Sequence, residues 1–209
     1  MSATLHDRIR AARLVPVIKL DRAEDAVPLA EALVSGGLAV AEVTFRTAAA
    51  AESIHAIRKR LPSVLVGAGT ILKTEDAQKA IDAGASFLVS PGFNPKIVEF
   101  SLEKKIPIVP GVATPSEIEA GLSYGLEVLK LFPAEVIGGV GFLKAVRPVY
   151  SAVSFMPTGG INEANVLSYL ELPNVLACGG SWMVKPELIA SGRFDEITAL
   201  TKRAVELVR

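Results

Sequence analysis

Eight short apolar runs, separated by segments of helical pattern, constrain this chain more than any other feature. They occupy residues 14–18, 40–44, 64–66, 87–89, 106–109, 128–131, 153–156 and 175–178. Each is mostly β-branched or otherwise apolar and is bounded by Gly, Pro or Ser, as expected of strands covered on both faces. They recur about every 20 to 26 residues, the spacing of a strand–helix unit rather than a solenoid repeat. Helix starts are legible between them. Asp21 with Glu24, and Thr114 with Pro115 and Glu117, read as capping boxes; Asn94, Thr74 and Asn162 read as N-caps. Gly36-Gly37, Gly84 and Gly125 fall where helices should end.

Eight strands alternating with helices in 209 residues are the minimum inventory of a (β/α)8 TIM barrel. The class is α/β, with a short amphipathic N-terminal helix over residues 4–12 and a single domain spanning 1–209. An open doubly wound sheet is the alternative, since periodicity does not report closure. The barrel is preferred because Lys19-Leu-Asp-Arg22 replaces the usual dinucleotide fingerprint after the first strand.

Lys130 stands inside the sixth run, within Glu127-Val-Leu-Lys-Leu-Phe-Pro133. Burying an ammonium costs several kcal/mol (roughly) unless it is paired or loses its proton, and a neutral lysine is a nucleophile toward ketones. A strand lysine can also snorkel to a polar strand end. The surroundings favour chemistry, because barrel active sites lie at the C-terminal ends of the strands and the unusual residues collect there. Strand one ends at Lys19, read either as a rim charge or as an anion contact. Alternation in strand two puts Glu42, Thr44 and Arg46 on one side, away from Val43 and Phe45. Glu42 and Arg46 could form a salt bridge closing a barrel layer, or serve as a base and a bidentate anion clamp. Gly159-Gly160 and Gly179-Gly180-Ser181 follow strands seven and eight, where barrels bind phosphate on backbone N–H groups. Trp182 and Cys178 are read as packing residues and Glu117 as a cap partner; Glu135 has no assigned role.

Composition removes other classes. Formal net charge is zero and no basic cluster stands out, so nothing favours nucleic acid or an anionic membrane. No apolar stretch approaches the roughly 20 residues of a membrane helix, and residues 1–10 lack a signal-peptide core. Cys178 is the single cysteine, which suits a reducing, cytoplasmic setting. His6 and His55, far apart in helical segments, are read as surface residues, which argues against zinc. Composition leaves an all-carboxylate magnesium or manganese site open.

The motifs Glu42-Val-Thr-Phe-Arg-Thr47, Val66-Gly-Ala-Gly-Thr70, Ser90-Pro-Gly92, Pro110-Gly111, Leu129-Lys-Leu-Phe-Pro-Ala-Glu135, Pro157-Thr-Gly-Gly-Ile161 and Gly179-Gly-Ser-Trp182 together resemble the bacterial KDPG/KHG aldolases. The likeness covers essentially the whole chain in order. It implies a class I, metal- and cofactor-independent aldolase. By that resemblance Lys130 forms a Schiff base with the C2 ketone and Glu42 is the general acid/base. Arg46 and Thr70 match the positions holding the pyruvyl carboxylate, and Thr158, Gly159, Gly160 and Ser181 the region holding the phosphate. Pro91, Phe132 and Gly180, inside matched motifs, join the substrate-binding set, as does Lys19, where some members carry arginine. The substrate implied is phosphorylated 2-keto-3-deoxy-6-phosphogluconate, cleaved to pyruvate and glyceraldehyde 3-phosphate in the Entner–Doudoroff pathway. 4-Hydroxy-2-oxoglutarate is a second implied substrate and a homotrimer the implied assembly. The remaining alternatives are a galactonate-derived substrate, a phosphate-binding isomerase or other lyase, and a non-catalytic scaffold.

Overall fold

The computed structural model describes residues 4–209; residues 1–3, where the stretch read for a signal core begins, lie outside the described residues. The short N-terminal helix is present as α1 (Leu5–Ala12), closed by a Thr4–Asp7 capping box. Strands and helices then alternate: β1 (Leu14–Ile18), α2 (Ala26–Ser35), β2 (Val40–Thr44), α3 (Ala50–Arg60), β3 (Leu65–Gly69), α4 (Thr74–Asp82), β4 (Leu88–Val89), α5 (Pro95–Glu103). The series continues with β5 (Ile108–Val109), β6 (Gly111–Val112), α6 (Pro115–Ser123), β7 (Val128–Leu131), α7 (Gly139–Val146), β8 (Ser154–Phe155), α8 (Val166–Leu170), β9 (Cys178–Gly180), α9 (Pro186–Ala190) and α10 (Phe194–Val208). The molecule is therefore an α/β protein, and every strand pairing is parallel.

One sheet runs β5-β4-β3-β2-β1-β9 and the other β6-β7-β8. Pro110, just past the fifth apolar run, has no N–H to give to a ladder and separates two short strands, so β5 pairs with β4 while β6 pairs with β7. Single parallel bridges, Phe155 to Val175 and Thr158 to Gly179, connect the β8 and β9 segments. Apolar side chains of the strands and of the facing helix stripes, among them Ile18, Leu29, Val43, Ile54, Leu129 and Phe155, form one buried core. No described helix is long and apolar enough to cross a membrane.

Some predicted boundaries move. The third strand extends beyond residues 64–66 into Gly67–Gly69, and the eighth run shifts from 175–178 to Cys178–Gly180. In both places glycines that read as loop lie within a ladder, since β9 must register Cys178 to Gly180 against Leu14 to Pro16 of β1. The runs at 87–89, 106–109 and 153–156 shorten to two paired residues each; Phe87, Val153 and Met156 stay buried without being strand, while Ile106 is half-buried and Pro107 exposed.

Caps divide similarly. Asn94 caps α5 through Lys96 N–H, and Thr114 with Glu117 forms the capping box of α6, with Pro115 at its first turn. Among the described residues Asp21 caps no helix: it pairs with Lys19, and α2 starts only at Ala26 with no side-chain cap. Thr74 is already inside α4, behind Lys73. Asn162 accepts from Ala164 N–H in the turn before α8, which begins later, at Val166. Gly37, Gly84 and Gly125 leave their helices at positive φ, as the sequence predicts.

Candidate active site

The second strand sets the site. Its alternation sends Glu42, Thr44 and Arg46 toward the C-terminal ends of the sheet, where all three line a cavity of about 300 Å3. Glu42 is completely buried. The ladder places it beside Gly67, and two residues further on Gly69 opens room for its carboxylate: a Cβ there would lie 2.7 Å from Glu42 Cδ and Cγ. Thr44 Oγ1 donates to Ile18 O at 2.7 Å and accepts from Arg46 Nε at 3.0 Å, so a relay of hydroxyl and guanidinium anchors the arginine stem to β1. Arg46 pairs with no carboxylate of the chain among the described residues, and the Glu42–Arg46 salt bridge is not formed.

Glu42 meets Lys130 instead. Lys130 sits in register with Gly111, its N–H donating to Pro110 O at 2.8 Å, with 4% of the residue exposed. Its Nζ lies 3.4 Å from Glu42 Oε1 and 5.3 Å from the centre of the Phe132 ring. A tight ammonium–carboxylate bond spans about 2.7–2.9 Å, so this pair is loosely engaged and the amine keeps room to move. Glu42 Oε2 is buried and accepts no hydrogen bond among the described residues, which leaves one carboxylate oxygen open for a proton. Larger surface hollows exist elsewhere, one of about 880 Å3 around Lys144, Arg147 and Asn174. Among the described cavities only the one at Lys130 contains buried ionisable side chains.

The other predicted residues gather there. Thr70, Pro91, Phe132, Thr158, Gly159, Gly160, Gly180 and Ser181 all line the same cavity. Thr70 adopts φ of 56°, a left-handed conformation that is strained for a β-branched side chain by about 1–3 kcal/mol and is typical of ligand-gripping positions. The N–H groups of Gly160 and Ser181 find no acceptor in the chain among the described residues, so both remain available to an anion. Lys19 is the exception: its Nζ is 2.8 Å from Asp21 Oδ1 and it does not line the cavity. Gly179, read with the second glycine pair, also lines it, and Val17 and Ile161 complete the lining without having been assigned a contact. Val17 could have been found from its register with Glu42, which requires knowing the pairing.

Trp182 packs over Gly180, half buried, and Cys178 is buried with its thiol pushed up to about 12 by desolvation. Glu117 holds the N–H groups of Ala113 and Thr114, as a cap partner should. His55 is exposed and His6 half-buried. No group of three or more His, Cys, Asp and Glu side chains is assembled as a metal-ligand set among the described residues.

A loosely paired buried lysine and carboxylate, at the C-terminal end of parallel strands and facing free N–H groups, define a site for carbonyl chemistry on a small anion. The comparisons with known proteins agree. The family model for KDPG and KHG aldolase matches residues 5–200. A 2-dehydro-3-deoxy-phosphogluconate aldolase of Treponema pallidum is 50% identical over 205 residues, 98% of each chain. The KDPG aldolase of Legionella pneumophila, solved with pyruvate captured as a covalent carbinolamine intermediate, superposes with a TM-score of 0.93 at 40% identity over 96% of this chain and 98% of that one. The aldolase of Zymomonas mobilis solved with 3-phosphoglycerate gives a TM-score of 0.89 at 42% identity, covering 97% and 95%. This chain belongs to the KDPG and KHG aldolase family.

Proposed function

We propose that the chain is a class I aldolase that cleaves 2-keto-3-deoxy-6-phosphogluconate to pyruvate and glyceraldehyde 3-phosphate, with 4-hydroxy-2-oxoglutarate as a second substrate. The observation that carries this is the buried Lys130–Glu42 pair, 3.4 Å apart with Glu42 Oε2 unengaged. The capture of pyruvate as a carbinolamine by the Legionella relative supports the same chemistry.

In this mechanism Glu42 takes a proton from Lys130, and the neutral amine adds to the C2 ketone to give a carbinolamine. Glu42 returns the proton to the departing hydroxyl, and loss of water leaves a protonated imine. As a carboxylate again, Glu42 accepts the C4 hydroxyl proton. The C4–O bond becomes a carbonyl, the C3–C4 pair flows into the imine, and the aldehyde leaves. Protonation of the enamine at C3 and hydrolysis release pyruvate and restore Lys130. Arg46, with its planar fork, and Thr70 grip the pyruvyl carboxylate, with Pro91 and Phe132 walling the reacting carbons. Thr158, Gly159, Gly160, Gly180 and Ser181 take the phosphate on hydroxyls and free N–H groups. Lys19, outside the lining and tied to Asp21, is assigned no contact.

The same reading makes the fold a closed (β/α)8 barrel in one domain over 1–209, with β5 and β6 counted as one strand interrupted at Pro110. The bridges between the β8 and β9 segments support closure. It also places the protein in the cytoplasm, in the Entner–Doudoroff pathway and in a homotrimer, which would cover exposed apolar side chains such as Leu72 and Val136. A pyruvate-release assay on the gluconate- and galactonate-derived C4 epimers tests the substrate. Faster turnover of the gluconate epimer is expected; preference for the galactonate epimer would reassign it.

A further inference from the structure

Glu135 closes the motif that contains Lys130, yet it lies outside the cavity lining. It opens a 3-10 turn, Glu135–Ile137, directly after the lysine strand. Its carboxylate Oε1 accepts a hydrogen bond from the hydroxyl of Tyr169, a completely buried residue of α8. Burial and this bond both raise the phenol above its ordinary range, so Tyr169 stays a donor. The pair joins the chain after β7 to the helix after β8.

Two glycines are shaped around it. At Gly139 a Cβ would collide with the Tyr169 hydroxyl and approach Glu135 Oε1 to 3.0 Å. At Gly160 a Cβ would lie 2.5 Å from Glu135 Cγ and 2.7 Å from its Cβ. Both glycines have positive φ. Glu135 therefore backs Gly160 directly, while Ala134 N–H donates to Thr158 O at 2.9 Å and Glu135 N–H to Gly159 O at 3.1 Å. Across the loop, Asn162 and Asn165 both donate to Gly160 O. The Thr158–Gly160 segment is thus held from both sides, with the Gly160 N–H left free.

We propose that Glu135, anchored by Tyr169, is a positioning residue that fixes the Thr158–Gly160 loop and so sets affinity for the phosphate end of the substrate, leaving imine chemistry at Lys130 untouched. The inference rests on the aldolase reading above. Its test compares wild type, Glu135→Ala, Glu135→Gln and Tyr169→Phe in two assays. One is exchange of pyruvate methyl protons, which needs the imine but no phosphate. The other is kcat and KM for the phosphorylated gluconate-derived substrate. Glu135→Ala should raise KM for the phosphorylated substrate at least about tenfold, since small misplacements of a positioning group carry such effects. Pyruvate exchange should stay within about twofold. Glu135→Gln, whose amide oxygen still accepts from Tyr169, should restore KM, and Tyr169→Phe should raise it less than Glu135→Ala. Equal losses in both assays, or an unchanged KM in Glu135→Ala, would overturn the positioning role. Absence of pyruvate exchange in wild type would instead overturn the aldolase reading beneath it.

Discussion

Gly69 shows how a residue without a side chain decides what its neighbour can do. The Glu42 carboxylate occupies the space a Cβ at position 69 would need, in a ladder that aligns Thr44 with Gly69. Gly69→Ala should therefore push Glu42 off Lys130, costing about 1–3 kcal/mol of stability by overpacking. Pyruvate turnover should fall about 10²–10⁴-fold, the usual worth of a positioned acid/base. Thermal unfolding and steady-state kinetics check both; a fully active variant would show that the carboxylate need not sit there. At this scale much was legible. A lysine in an apolar run and a Glu-x-Thr-x-Arg alternation mark the buried pair and the arginine relay without coordinates. The partner was not legible: Glu42 could as well have closed on Arg46, and only the approach of Lys130 to a carboxylate seated in the room left by Gly69 resolves the choice. Lys19 was open for a related reason, rim charge or anion contact; Asp21, two residues along, pairs with its ammonium at the surface, as the rim reading has it.

Among the elements, caps separate what local sequence decides from what tertiary packing decides. Thr114, Pro115 and Glu117 satisfy the first N–H groups of α6 wholly within four residues, so the pattern suffices. Asp21 and Thr74 have the right composition but sit where the strand exit sets another path, so α2 starts late and α4 early. Thr114→Ala should cost about 1 kcal/mol and lower the melting temperature while leaving kcat unchanged. A loss of activity without loss of stability would mean that the loop before α6 shapes the cavity. Strand ends follow the same division: β7 is found to the residue from hydropathy, whereas β3 and β9 run through glycines whose missing side chains make room for Glu42 and Trp182.

Over the whole molecule, the eight-fold strand–helix rhythm conveys the α/β class and the parallel pairing, because parallel strands buried on both faces read as uninterrupted apolar runs. It carries no information on the break at Pro110 or on the way β8 approaches β9 through single bridges. Global stability should also carry a signature of the buried thiol. Cys178 has an ordinary value of 9.0 and is raised to about 12 in the fold by desolvation. The unfolded chain therefore loses its proton first, and the thiol's contribution is complete below about pH 9 and declines as pH rises toward 12, by at most about 1.4 kcal/mol per pH unit. Denaturant unfolding of wild type and Cys178→Ala should diverge in slope over that window; parallel curves would place the thiol in water.

The central claim is that Lys130 is the nucleophile, and borohydride reduction in the presence of pyruvate, followed by peptide mass mapping, tests it most directly. A reduced pyruvyl adduct on Lys130, absent in Lys130→Met, is the predicted result. A folded protein that acquires no adduct, or acquires it on another lysine, would contradict the account.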